Sequence, residues 1–149
     1  MGELLDSPDW LFAGLFVIAG LTVWFGIAWR NTSKQVRETA ARRPNPTDTE
    51  FMQMMRPDVS EQASAFLWKS ALPYLELLRP ALTPHPDDDL VSDLPIDDDD
   101  FGMDWPREWA ELKEFHESNM PDWPEGWLVT IRNYGRWLDM SPRISSPRT

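Results

Sequence analysis

Apolar positions are distributed unevenly along this 149-residue chain, and the first cluster is the longest. From Trp10 to Trp29 no side chain is charged and no proline intervenes. At about 1.5 Å per residue the segment reaches about 30 Å, the hydrocarbon thickness of a bilayer. A rod that is apolar on every side needs lipid or many covering elements around it, and the rest of the chain is too small and polar to cover it. The expectation is one transmembrane helix over residues 10–29. Trp10 and Trp29 bracket it at the two interfaces, where amphipathic indoles favour the headgroup level, while Trp24 lies about a turn inside.

Beyond the span the pattern changes period. Residues 30–43 form a basic juxtamembrane helix that ends at Arg43-Pro44-Asn45-Pro46, since a residue preceding proline is pushed out of helical geometry. Residues 44–58 are polar, rich in proline and dotted with Phe51, Met52, Met54 and Met55, and are expected to be a linker with an apolar patch. A helix should start at Ser60, a suitable N-cap with Glu61 and Gln62 in the first turn. Phe66, Leu67, Ala71, Tyr74, Leu75 and Leu78 recur at three- and four-residue spacing along it, with Pro73 as a kink and Pro80 as its end. A loop dense in Pro and Asp follows from Thr83 to Asp100.

The last third repeats itself. Asp104-Trp105-Pro106-Arg107-Glu108-Trp109 and Asp122-Trp123-Pro124-Glu125-Gly126-Trp127 both read Asp-Trp-Pro-x-x-Trp. Each offers an acidic N-cap, a proline near the first helical position and a tryptophan one turn on. Both are expected to begin helices, running to Glu117 and to Met140. Their tryptophans either staple a small core or form a stacking surface for a partner. The fold class is therefore all-α: one N-terminal transmembrane helix plus a small cytoplasmic bundle of three or four short helices over residues 59–140. Residues 1–9 form an extracytoplasmic N-terminus and residues 141–149 a disordered tail.

Charge orients the span. Glu3, Asp6 and Asp9 precede it without a Lys or Arg, whereas Arg30, Lys34, Arg37, Arg42 and Arg43 follow it with only Glu38 opposed. Lys and Arg are held on the cytoplasmic side, so the N-terminus is expected outside and the C-terminal domain in the cytoplasm, at the inner or plasma membrane. The flank lacks the positive n-region and small-residue cleavage site of a signal peptide, so the segment reads as a retained anchor. Arg30 and Lys34 join Trp10 and Trp29 at the membrane interface. The absence of cysteine excludes disulfides, thiolate nucleophiles and thiolate metal sites, and suits a reducing cytoplasm. From Asp58 to Met140 nineteen residues are acidic and six basic, a balance that repels phosphate backbones and argues against nucleic-acid binding.

The stretch from Asp87 to Asp100 sets Leu90, Leu94 and Ile96 among carboxylates. It resembles the loop of acyl carrier proteins, Asp-x-Leu-x-x-Asp-Leu-Gly-x-Asp-Ser-Leu, through Asp88 or Asp89, Leu90, Asp93, Leu94, Ile96 and Asp97. The resemblance extends over residues 60–140, with a long helix before the loop and Leu128 to Leu138 similar to the family's last helix. Pro95 stands where the family has glycine, and Asp98 stands where it has the serine that receives phosphopantetheine. The resemblance thus implies a helical carrier-like fold without the thioester chemistry, nearer to bacterial acyl-carrier-like domains of unknown function that carry an acidic pair here.

Divalent-cation binding is a second reading of the loop. Asp97, Asp99, Gly102 and Glu108 fall at positions 1, 3, 6 and 12 of a calcium loop, although Phe101 and Trp105 occupy two positions where oxygen ligands or water belong. The plain alternative is an acidic helix start, where the macrodipole favours carboxylates. Catalysis finds no foothold: His85 and His116 are separate and read as surface residues, and no phosphate loop, paired-histidine spacing or nucleophile elbow occurs. The span carries no ligand or charge, and Gly14, Gly20 and Gly26 spread round the helix without making a close-packing face.

These features point to a non-enzymatic protein with no cofactor. Its acidic domain would dock a protein partner with a basic surface at or in the membrane, through Asp93, Asp97, Asp98, Asp99 and Asp100 as the electrostatic rim and Trp105, Trp109, Trp123 and Trp127 as anchors. The alternatives are a small accessory subunit of an energy-transducing or transport complex, or an acyl-carrier-like or cation-binding domain.

Overall fold

The computed structural model describes residues 9–142; most of the expected extracytoplasmic N-terminus, all but the helical Asp9, and most of the expected tail lie outside them. Five α-helices and no strand form among the described residues: α1 (Asp9–Arg42), α2 (Asp48–Met55), α3 (Glu61–Leu75), α4 (Trp105–Leu112) and α5 (Ile131–Asp139). The chain divides into two compact units, Met1–Lys34 and Gln35–Thr149.

The described part of the first unit, residues 9–34, is one long helix, apolar from Trp10 to Trp29. Its large side chains from Trp10 to Trp29 are all exposed, and it is long and apolar enough to cross a membrane. Within it the Thr22 hydroxyl donates to the Ile18 carbonyl at 2.8 Å, so a hydroxyl in an apolar segment is satisfied one turn back.

The second unit is a small helical bundle. It takes in the end of α1, where Val36 and Thr39 are buried. α3 lays Ala63, Leu67, Ala71 and Leu75 along one stripe at every fourth residue, all fully buried. Ser60 caps α3 by accepting from the Ala63 N–H, and its own N–H and hydroxyl donate to the Asp139 carboxylate at 2.7 and 2.5 Å, tying the start of α3 to the end of α5. Pro73 lies inside α3, which ends at Leu75 and not near Pro80; Tyr74 turns out to solvent. The centre of α5 approaches Val59 and Met55 at Gly135, where a Cβ would meet Val59 Cγ1 at 2.6 Å.

Three expectations need correction. Residues 44–58 are not a linker. Thr47 and Glu50 form a reciprocal capping box on α2, and Phe51 and Met55 from that helix are completely buried, with Phe51 packed 5.2 Å from Trp68. The packed domain therefore begins near Gln35, well before Ser60.

The second Asp-Trp-Pro repeat does not start a helix. Pro124–Trp127 makes a turn with Gly126 at φ +79°, and α5 begins only after Thr130, whose side chain accepts from the Asn133 N–H. The Trp123 ring is drawn instead into an aromatic cluster with Tyr134 and Trp137, its N–H donating to the Trp127 carbonyl at 3.2 Å. That packing competes successfully with the local helix-start signal.

The first repeat is helical, but Asp104 does not cap it. The helical backbone already starts at Asp98 and passes through a π-helical turn, Asp100–Asp104, before α4. α4 stops at Leu112, short of Glu117, because Glu114 turns left-handed at φ 60° and the Phe115 N–H returns to the Ala110 carbonyl.

Candidate functional site

The expected acidic rim divides into two parts with different surroundings. In the first, the loop from His85 to Ile96 packs Leu90, Leu94 and Ile96 inward, which accounts for apolar residues spaced among carboxylates. Its carboxylates bind the protein's own backbone and its own cations. Asp89 accepts from the N–H groups of Val91 and Ser92, and Asp93 accepts from that of Asp89. Asp88 is buried and receives a two-point contact from Arg43, Nε to Oδ1 at 2.8 Å and Nη2 to Oδ2 at 2.6 Å. Arg42 pairs with Asp93 at 2.8 Å. Thr39 and Gln35 donate to the carbonyls of Asp93 and Ser92.

The loop thus holds the basic end of α1, and Asp93, expected to meet a partner, is engaged within the chain. The residues that do this, Arg42, Arg43 and Asp88, were legible in the sequence only as charges. Burial raises the Asp88 carboxyl above its ordinary value, against the lowering effect of the Arg43 guanidinium, and burial lowers the neighbouring His85. His85 is half-buried rather than a free surface group.

The second part is the helix start from Asp97. The Asp97 carboxylate accepts from the Asp99 N–H at 3.1 Å, the geometry of an N-cap. Asp98 and Asp99 are exposed in the first turn, where the helix macrodipole stabilises them. Asp100 accepts the Tyr74 hydroxyl at 2.9 Å, which raises the Tyr74 phenol, and Asp104 pairs with Arg107 one turn on. The π-turn is held from inside by the buried Tyr134 hydroxyl, which donates to the Phe101 carbonyl, and it leaves Met103 63% exposed among the carboxylates. From residue 97 to residue 111 seven side chains are acidic and only Arg107 is basic.

A groove of about 400 Å³ runs beside this helix. α3 supplies Phe66, Lys69, Pro73 and Tyr74 to one wall, and Asp104, Trp105, Glu108 and Leu112 form the other. Leu112 is 53% exposed at its lip.

The expected tryptophan anchors fare differently. Trp105 and Trp109 are 2% and 1% exposed, so they belong to the core and cannot be surface anchors; an edge-on contact with Phe66 holds Trp109 and one with Tyr134 holds Trp105. Trp123 and Trp127 are half-buried, and the Arg136 guanidinium stacks 4.3 Å from the Trp127 ring. The calcium candidates do not converge: Asp97 caps a helix, Asp99 lies in its first turn and Glu108 in α4, and no cluster of three metal-binding carboxylates or histidines forms among the described residues. Trp10, Trp29, Arg30 and Lys34 are exposed on α1.

No protein-family model, curated protein or solved structure matches this chain.

Proposed function

We propose that this chain is a non-enzymatic, single-pass membrane protein whose acidic domain docks a protein partner with a basic surface at the membrane. The supporting observation is the division of charge. Arg42 and Arg43, at the end of α1 and just past it, take up Asp93 and Asp88, whereas the helix start keeps Asp97, Asp98 and Asp99 exposed one turn before exposed Met103, and the groove further along has Leu112 exposed at its lip. An acidic rim steers a basic partner and sets register, apolar lip residues supply contact area, and tethering raises the effective concentration of the pair. The basic flank after the span favours an N-terminus outside and a cytoplasmic domain at the inner or plasma membrane.

The test is co-purification in mild detergent, comparing the wild type with a variant in which Asp97, Asp98, Asp99 and Asp100 are all changed to Asn. The expected result is a partner recovered with the wild type and lost with the variant. Recovery of the same partner by both would overturn the electrostatic reading.

A further inference from the structure

We propose that the groove between α3 and α4 receives a basic amphipathic helix of the partner, an inference that rests on the docking function above and names the site and the shape of its ligand. The groove has the two components such a helix requires. Its floor and lip are apolar, with Phe66, Pro73 and the exposed Leu112, and could seat an apolar stripe. Its second wall carries Glu108 of α4, with Glu111 one turn further on and Asp104, already paired with Arg107, one turn back. That spacing matches cations placed three or four residues apart on an incoming helix.

The opposite wall differs in sign. Lys69 is the cation that α3 contributes to the groove, so the cleft is electrically lopsided: carboxylates on the α4 side, a cation on the α3 side. An occupant with Lys or Arg along one edge of its apolar stripe fits in one orientation and is resisted in the other. Arg107, engaged by Asp104 at the groove's end, leaves Glu108 as the exposed carboxylate with the clearest access to an incoming cation.

The test uses the full chain in its native membrane, with a photo-reactive phenylalanine analogue incorporated in place of Leu112 and, as a control, in place of the exposed Leu128 on the Trp127 loop. The expected result is an adduct at position 112 whose cross-linked segment carries several Lys or Arg at helical spacing, with little at position 128. The Glu108→Lys reversal should lower adduct yield by about threefold or more, and Lys69→Glu should raise it, because a reversal adds repulsion to the loss of an exposed pair. Glu125→Lys makes the same change in net charge away from the groove and should leave the yield unchanged. All three sites are exposed, and far-ultraviolet circular dichroism of the purified variants checks that folding is retained.

No adduct at position 112, an adduct to lipid or to a segment without basic residues, or equal yields from wild type and Glu108→Lys would overturn the assignment. If position 112 gives no adduct while the Asn variant of Asp97 to Asp100 still loses its co-purifying partner, docking stands and the groove is not where it occurs. If neither assay shows a dependence on these carboxylates, the docking function itself fails.

Discussion

At the residue scale, two positions carry more of the domain's stability than their chemistry alone announces. Arg43 meets buried Asp88 with a two-point contact and also donates to the Thr83 carbonyl. Replacing it with alanine leaves a carboxylate without its cation in the interior, which costs about 3–5 kcal/mol near neutral pH. The pH dependence has a definite sign. A carboxyl raised in the folded state binds its proton more tightly there than in the unfolded chain, so its stabilisation is present at low pH and is lost as pH rises through the raised value. Removing Arg43 raises it further. The gap in denaturation midpoint between wild type and Arg43→Ala should therefore narrow as pH is lowered from neutrality into the acidic range; a gap independent of pH would contradict the burial of an ionised Asp88. Gly135 is the second position. A methyl group there would overlap Val59, and because both Val59 methyls and the Met55 methyl are near, rotating one side chain gives no relief. Gly135→Ala should destabilise by about 1–3 kcal/mol despite the roughly 1 kcal/mol gain in helix propensity, as read by chemical denaturation.

At the scale of elements, α2 is the piece whose importance a polar, proline-rich context conceals. Phe51→Ala should cost about 3–5 kcal/mol, the loss for a large side chain deleted from a core, and the same denaturation measurement would show little change if residues 44–58 were a linker. The spacing of Phe51 and Met55 is helical, and Thr47 with Glu50 reads as a capping box, so the signal was present but short. The long elements were far more legible. Twenty uncharged residues permit only a helix of the α1 kind, and the four-residue stripe of α3 follows directly from its sequence. The second Asp-Trp-Pro repeat misled because local capping chemistry there yields to the packing of Trp123 against Tyr134 and Trp137, contacts set by residues more than ten positions away. For the same reason the acidic run was visible while its division was not. Only the fold brings Arg42 and Arg43 to Asp93 and Asp88, and leaves Asp98 and Asp99 facing solvent.

At the scale of the molecule, the proposed docking function gives placement to the long apolar helix and recognition to the acidic helical bundle. Placement is directly testable because the chain has no cysteine of its own. A single Ser118→Cys substitution, at an exposed position, should be modified by a membrane-impermeant maleimide only after permeabilisation; labelling in intact cells would reverse the topology. Recognition by exposed carboxylates has a kinetic signature, since rim charges act mainly on association rate and are screened within about 8 Å at physiological salt. The most direct measurement is the association rate of the full-length chain with its co-purified partner across about 0.05 to 0.3 M salt, for wild type and for the variant with Asn at positions 97–100. Docking through the acidic helix start predicts a rate that falls steeply with salt for the wild type and less steeply for the variant, which keeps Asp104, Glu108 and Glu111. A wild-type rate independent of salt, or the same slope in both proteins, would contradict it.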